Sequence, residues 1–202
     1  MMRGAAVLAV VALAACTRDN RWKITNAYPQ GVALVAFGDS LTSGYQMRAG
    51  ESYPEQLSAR IGRPILNRGV SGDSTAEGLA RLERDVLGES PRIVIVGLGA
   101  NDMLRRQPID PAFANLRAIV DRIQARGALV VLLGVDGPRM YGDWDGRYRQ
   151  LARETGCVLV PDLLDGIIGD HALMYDQVHP NAQGYAKIAE RLDAEVGEYL
   201  RR

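Results

Sequence analysis

Lysine is almost absent from this chain. Of its 24 basic residues only Lys23 and Lys187 are lysines, so the positive charge is carried by arginine. No run of five or more basic residues occurs, and 24 acidic residues bring the formal net charge to zero. A nucleic-acid footprint needs clustered positive charge, so nucleic acid is not an expected partner. Cysteine is nearly as scarce, with Cys16 and Cys157 alone. Neither has metal-ligand spacing to the other, and no disulfide framework is available. Histidine is limited to His171 and His179, too few for a site that gathers several histidines around one or two cations. A metal-dependent phosphoesterase built from Asp39, Asn101, Asp102 and His179 is therefore a weak competitor. The apolar run nearest the N-terminus, residues 4–15, is also short of the ~20 residues that span a bilayer.

That run instead fits the h-region of a secretory signal behind Arg3. It ends in Leu13-Ala14-Ala15-Cys16, which resembles the lipobox of bacterial lipoproteins. The expectation is a signal peptide over 1–15, a lipid-anchored polar tether over 16–31 with Cys16 acylated, and a folded domain over 32–202. The protein would then be exported and held by Cys16 at a membrane of the bacterial cell envelope. The rival, a Cys16–Cys157 bridge, needs the N-terminus to fold back on the core. Cys157 sits in the apolar stretch 156–160 and reads as a small core residue.

From residue 32 onward the chain has enough apolar content for one domain with a full core. Apolar runs at 32–37, 64–67, 92–97, 128–133 and 157–160 are hydrophobic on consecutive positions, as parallel strands buried on both faces require. Amphipathic stretches lie between them. Tyr53 to Ile61 is stopped by Gly62-Arg63-Pro64. A second helix, capped at Ser74 or Thr75, carries Leu79, Leu82, Val86 and Leu87. A third opens at Asp110-Pro111 with Pro at the first helical position, and Gly127 closes it. The last two cover about Asp145–Glu154 and Asn181–Leu200. Alternation of strand and helix predicts an α/β fold: a single three-layer flavodoxin-like domain, about five parallel strands with helices on both faces.

In such a sheet the turns after successive strands share one edge, where ligands bind. Three polar, glycine-rich turns meet there: Gly38-Asp39-Ser40, Asn67 to Gly72, and Leu98 to Asp102. Asp176 to Asn181, just before the last helix, joins them. Ser40 is a nucleophile only if a base takes its proton. His179 follows Asp176 by three residues, close enough for the carboxylate to orient the imidazole. His171 has only the adjacent Asp170 and reads as a loop residue. The amides of Ser40 and Gly72 and the side-chain amide of Asn101 are placed to receive an oxyanion. Gly72 is read as glycine because a side chain would crowd that approach. Ser74 repeats the Gly-Asp-Ser string but stands where a helix begins and reads as an N-cap. Asp39 reads as a turn residue accepting backbone N–H bonds.

Gly38-Asp39-Ser40-Leu41, Gly72 after Asn67-Arg68-Gly69, Gly99-Ala100-Asn101-Asp102 and Asp176-x-x-His179-Pro180 resemble the four blocks of the GDSL or SGNH hydrolases, in the family's order. The stretches 41–45, 71–75 and 78–82 are similar to the bacterial thioesterase/lysophospholipase/arylesterase branch. The resemblance covers about residues 32–200. It implies a Ser40–His179–Asp176 triad, an oxyanion hole of Ser40, Gly72 and Asn101, and ester or thioester hydrolysis without metal or cofactor. Ala100 departs from the Gly-Gly-Asn-Asp of that branch, so its loop is expected to shift slightly. The expected partners are small-molecule or lipid esters and the membrane that holds the anchor, with the protein acting as a monomer. Two other readings stay open, a carbohydrate O-acetylesterase with the same triad and a non-catalytic, membrane-tethered binding module. The segments Asp136–Arg147 and Asp162–Tyr175 are equally able to line an acyl groove or merely to cover the sheet edge.

Overall fold

A computed structural model describes residues 22–202. Cys16 and residues 1–15, where a signal peptide is expected, lie outside the described residues. Five parallel strands, β1 (Ala33–Gly38), β2 (Ile65–Gly69), β3 (Pro91–Gly97), β4 (Leu129–Leu133) and β5 (Val158–Val160), form one sheet in the order β2-β1-β3-β4-β5. The consecutive apolar residues of each strand serve two cores. Val35, Phe37, Val94, Val96, Val130 and Leu132 point to one face. Leu34, Ala36, Ile93, Ile95, Val131 and Leu133 point to the other. The first face is covered by α3 (Thr75–Asp85), α5 (Ile109–Gln124) and α6 (Trp144–Thr155), through residues such as Leu82, Leu116, Val120 and Leu151. The second is covered by α2 (Tyr53–Ile61) and α7 (Ala182–Arg201), through Leu57, Ile61, Ile188, Leu192 and Val196. Burial on both faces is what allows an all-parallel sheet, and the three layers are those the alternating pattern predicts.

Local signals set the helix ends. Ser74 caps α3 and exchanges bonds with Glu77 in a capping box. Asn181 Oδ1 accepts the amides of Gln183 and Gly184 to start α7. Helix α5 begins at Ile109, so Pro111 stands third in it and not first. Proline is tolerated there because the first-turn amides lack intrahelical partners anyway.

Two short helices follow strands directly: α1 (Ser40–Ser43) after β1 and α4 (Ala100–Leu104) after β3. Four or five residues carry too little periodicity to be recognised in sequence. Residues 22–31, expected as part of a polar tether, are docked on the fold. Trp22 Nε1 donates to the Cys157 carbonyl at 2.9 Å, and the Thr25 amide to Gly156 at 2.8 Å. Asn26 Nδ2 reaches the Gln124 and Ala128 carbonyls, and the Gln30 amide reaches Gly127. Residues 22–31 thus cross the base of the sheet, from β5 past β4 and β3, before entering β1. Polar composition concealed this because backbone and side-chain amides, not apolar side chains, hold most of the segment.

Candidate active site

The site opens at the other edge, above the strands' C-terminal ends. In the strand order 2-1-3-4-5 the chain turns to opposite sides after β1 and β3, which leaves a crevice between them. Gly38 closes β1 where a Cβ would lie 2.5 Å from the Gly97 carbonyl oxygen. Only glycine lets the two strand ends come so close. Asp39 then caps α1, its Oδ1 accepting the Leu41 amide at 3.0 Å, and Ser40 becomes the first helical residue. The Ser40 amide therefore has no partner inside the helix.

His179 arrives from a long irregular segment between β5 and α7. Its Nε2 lies 3.0 Å from Ser40 Oγ, and its Nδ1 lies 2.8 Å from Asp176 Oδ2. Asp176 Oδ1 also accepts the amides of Val178 and His179, at 2.9 and 2.8 Å. One tight turn therefore holds the acid and the base in register. An isolated bridge between Met174 and Pro180 and the Tyr175 amide on the His179 carbonyl brace it. Burial works to raise the pKa of Asp176, but these amides and the imidazole outweigh it and keep the carboxyl below its ordinary range. An ionised Asp176 is what an orienting acid has to be.

The residues expected as oxyanion donors besides Ser40 lie on the other two turns. Gly72 has φ +88°, a left-handed conformation costly to other residues. A Cβ there would meet only the Arg105 guanidinium, at 3.6 Å. Backbone conformation is by itself a reason for glycine here, whatever room the approach of a substrate needs. Asn101 Nδ2 donates to Asp39 Oδ2 at 3.2 Å and to the Asp73 carbonyl at 3.0 Å. Both amide hydrogens are engaged, and the longer bond to Asp39 is the one an oxyanion has to share or displace. Ala100 takes the first position of α4 after Gly99, whose φ is +119°. Alanine is a good helix former, so it suits that position.

Two residues that hold this arrangement, Arg81 and Asp102, were not given these roles by the sequence reading. Arg81 sits almost fully buried under the site. Its Nε donates to Asp73 Oδ2 at 2.5 Å, its Nη1 to the Arg68 carbonyl and Asp85, and its Nη2 to the Gly38 carbonyl at 2.8 Å. It also lies over the Phe37 ring. Asp102 accepts both the amide and the hydroxyl of Thr75, at 2.8 Å each, which docks α3 against α4. Asp39 is 1% exposed. Its burial pushes the carboxyl up to about 7, against the pull of the Leu41 amide and Asn101.

A cleft of about 80 Å³ runs from Ser40 and His179 over Leu41, Met103, Leu104, Val135, Leu164, Ile168 and Val178. Leu164 and Ile168 come from the segment 162–175, and Asp136 opens the other expected one. Trp144, Leu163 and Ile167 are buried in the cores instead, so each segment divides between the two roles. Met103 and Leu104 come from α4, which the sequence did not reveal. His171 is exposed, outside this cluster. Ser74 has its hydroxyl bound in the α3 cap. Burial pushes the Cys157 thiol up to about 11, so it stays protonated in the core. Among the described residues, no three His, Cys, Asp or Glu side chains are grouped to hold a metal ion.

A family model described as the GDSL-like Lipase/Acylhydrolase family matches residues 36–187. The chain belongs to that family. It is a serine ester hydrolase in fold and family alike. An arylesterase of Vibrio mimicus is 33% identical over 178 residues, 83% of this chain and 89% of the relative. The thioesterase 1/protease 1/lysophospholipase L1 of Escherichia coli is 32% identical over 165 residues, 78% of this chain and 79% of the relative. A crystal structure of TesA superposes with a TM-score of 0.78 at 28% identity, covering 83% of this chain and 99% of the other.

Proposed function

We propose that this hydrolase cleaves carboxylic esters and thioesters through an acyl-enzyme on Ser40. The contact that carries the reading is the 3.0 Å approach of His179 Nε2 to Ser40 Oγ, with Asp176 on the far nitrogen. Ser40 Oγ attacks the carbonyl carbon while its proton passes to Nε2. The Ser40 and Gly72 amides and Asn101 Nδ2 receive the charge that grows on the carbonyl oxygen. Collapse breaks the bond to the leaving group, which takes the proton from Nε2 when it is an alcohol. Water then repeats the sequence on the acyl-serine and frees the acid.

The apolar cleft favours the acyl portion. It encloses a short chain, and a longer one has to run out over Leu104 and Ile168, both about half exposed. Aryl esters, acyl thioesters and single-chain lipid esters all fit that description, the classes named for the Vibrio mimicus and Escherichia coli relatives. A chain-length series on p-nitrophenyl esters, with matching acyl thioesters, tests it. kcat/KM is expected to rise from acetyl through medium chains and then level off. A sharp acetyl optimum would turn the reading towards sugar deacetylation.

The lipobox reading supports an exported protein anchored through an acylated Cys16. Trp22 is held at the base of β5, opposite the cleft. It stands six positions after Cys16, a reach of roughly 20 Å when fully stretched. The seven residues of β3 alone raise the site by about the same distance. An anchored molecule would thus turn its cleft away from its own membrane, towards esters dispersed in the aqueous phase. Membrane fractionation of the protein and of a Cys16→Ser variant tests the anchor. Release of the variant alone supports it, and equal partitioning refutes it.

A further inference from the structure

The turn that presents the nucleophile does a second job. Ser40's carbonyl accepts the amides of Gly44 and Tyr45, each at 3.1 Å, so Tyr45 is fixed to the same short turn as the serine. Gly44 makes this possible with φ +77°. The Tyr45 ring then lies over the imidazole of His179, with centroids 4.4 Å apart and planes inclined by 30°. The edge of the Tyr175 ring packs on Tyr45 at 6.4 Å and 76°, and Tyr175's own amide is bound to the His179 carbonyl. Tyr45 is thus the aromatic link between the serine's turn and the loop that carries the base.

We propose that Tyr45 is a positioning residue for the catalytic base: its π face holds the His179 imidazole against Ser40 and stabilises the imidazolium formed when the serine gives up its proton. An aromatic face attracts a cation through its quadrupole, and here the cation exists only after proton transfer. The interaction is therefore stronger in the transition state than in the resting enzyme, which is the condition for raising kcat. Tyr45 stands outside the lining of the acyl cleft, so its replacement leaves that lining unchanged. Because 36% of Tyr45 is exposed, its replacement leaves the cores intact. The proposal rests on His179 acting as the base.

The test compares Tyr45→Phe, Tyr45→Leu and Tyr45→Met, with His179→Ala as control, by kcat, KM, thermal midpoint and the rate of serine labelling by a fluorophosphonate. Leucine and methionine keep bulk without a π face. Both are expected to lose about five- to thirtyfold in kcat, with KM and thermal midpoint close to the parent and labelling slowed in step. Phenylalanine is expected to rescue most of that loss. Equal losses in all three, a loss confined to KM, or unchanged kcat in the leucine and methionine variants would overturn the proposal. Full activity in His179→Ala would instead overturn the assignment of the base.

Discussion

Replacing Arg81 with methionine tests how the oxyanion loop is held. The guanidinium and Asp73 are 9% and 11% exposed at their side chains, and Asp85 is 16% exposed. Removing the cation strands the Asp73 carboxylate away from water and leaves the Gly38 and Arg68 carbonyls short of a donor. Breaking a buried pair from one side costs about 3–5 kcal/mol. For a chain of this size, each kcal/mol lowers the thermal midpoint by about 2–4 °C, so a fall of roughly 6–20 °C is expected. Adding Asp73→Asn removes the stranded charge, so the double variant should be more stable than Arg81→Met alone. Thermal melts of the four members of the cycle measure this. kcat should fall together with stability, because Asp73 follows Gly72 and Gly38 precedes the Asp39–Ser40 step. A loss below about 1 kcal/mol, the size of an ordinary substitution, or a double variant costing the full sum of the singles, would refute the reasoning.

Other outcomes follow from the same geometry. Asp39 is raised to about 7 by burial, so between about pH 4 and 7 the folded state keeps a proton that the unfolded chain has released. Stability from this group therefore falls as pH rises through that window, by at most about 1.4 kcal/mol per unit. Urea midpoints should show Asp39→Asn gaining on the parent from pH 4 to 7, and parallel curves would contradict this. Asn101→Ala should cut kcat by about 10²–10³ with little change in KM, and a loss under about tenfold would remove Asn101 from the oxyanion hole. Gly99→Ala should destabilise by about 1–3 kcal/mol, because φ is +119° and the new Cβ collides with the Tyr148 hydroxyl. Denaturant unfolding reads that directly.

Strand positions and helix faces were legible in sequence because each strand feeds two cores and must be apolar throughout. The triad residues were legible too, since chemistry demands a serine, a histidine and an acid at turns that one sheet edge brings together. The four segments expected to carry the triad and the oxyanion hole do meet at that edge. Arg81 was not legible. An arginine four residues before Asp85 looks like a solvated helix pair, and only the fold turns its guanidinium inward to Asp73 and two carbonyls. Tyr45 escaped for a similar reason. Its partner, His179, is 134 residues away in sequence, and nothing local signals a ring stacked on a ring. The docking of residues 22–31 was hidden because a hydrogen-bonded strap has the composition of a linker.

The most direct measurement of the central claim is the mass of the protein after reaction with a fluorophosphonate, with the modified peptide mapped. One adduct is expected, on Ser40. It should be lost with all esterase activity in Ser40→Ala, and it should form far more slowly in His179→Ala. A label on Ser74 or another residue, or turnover surviving Ser40→Ala, would contradict the account.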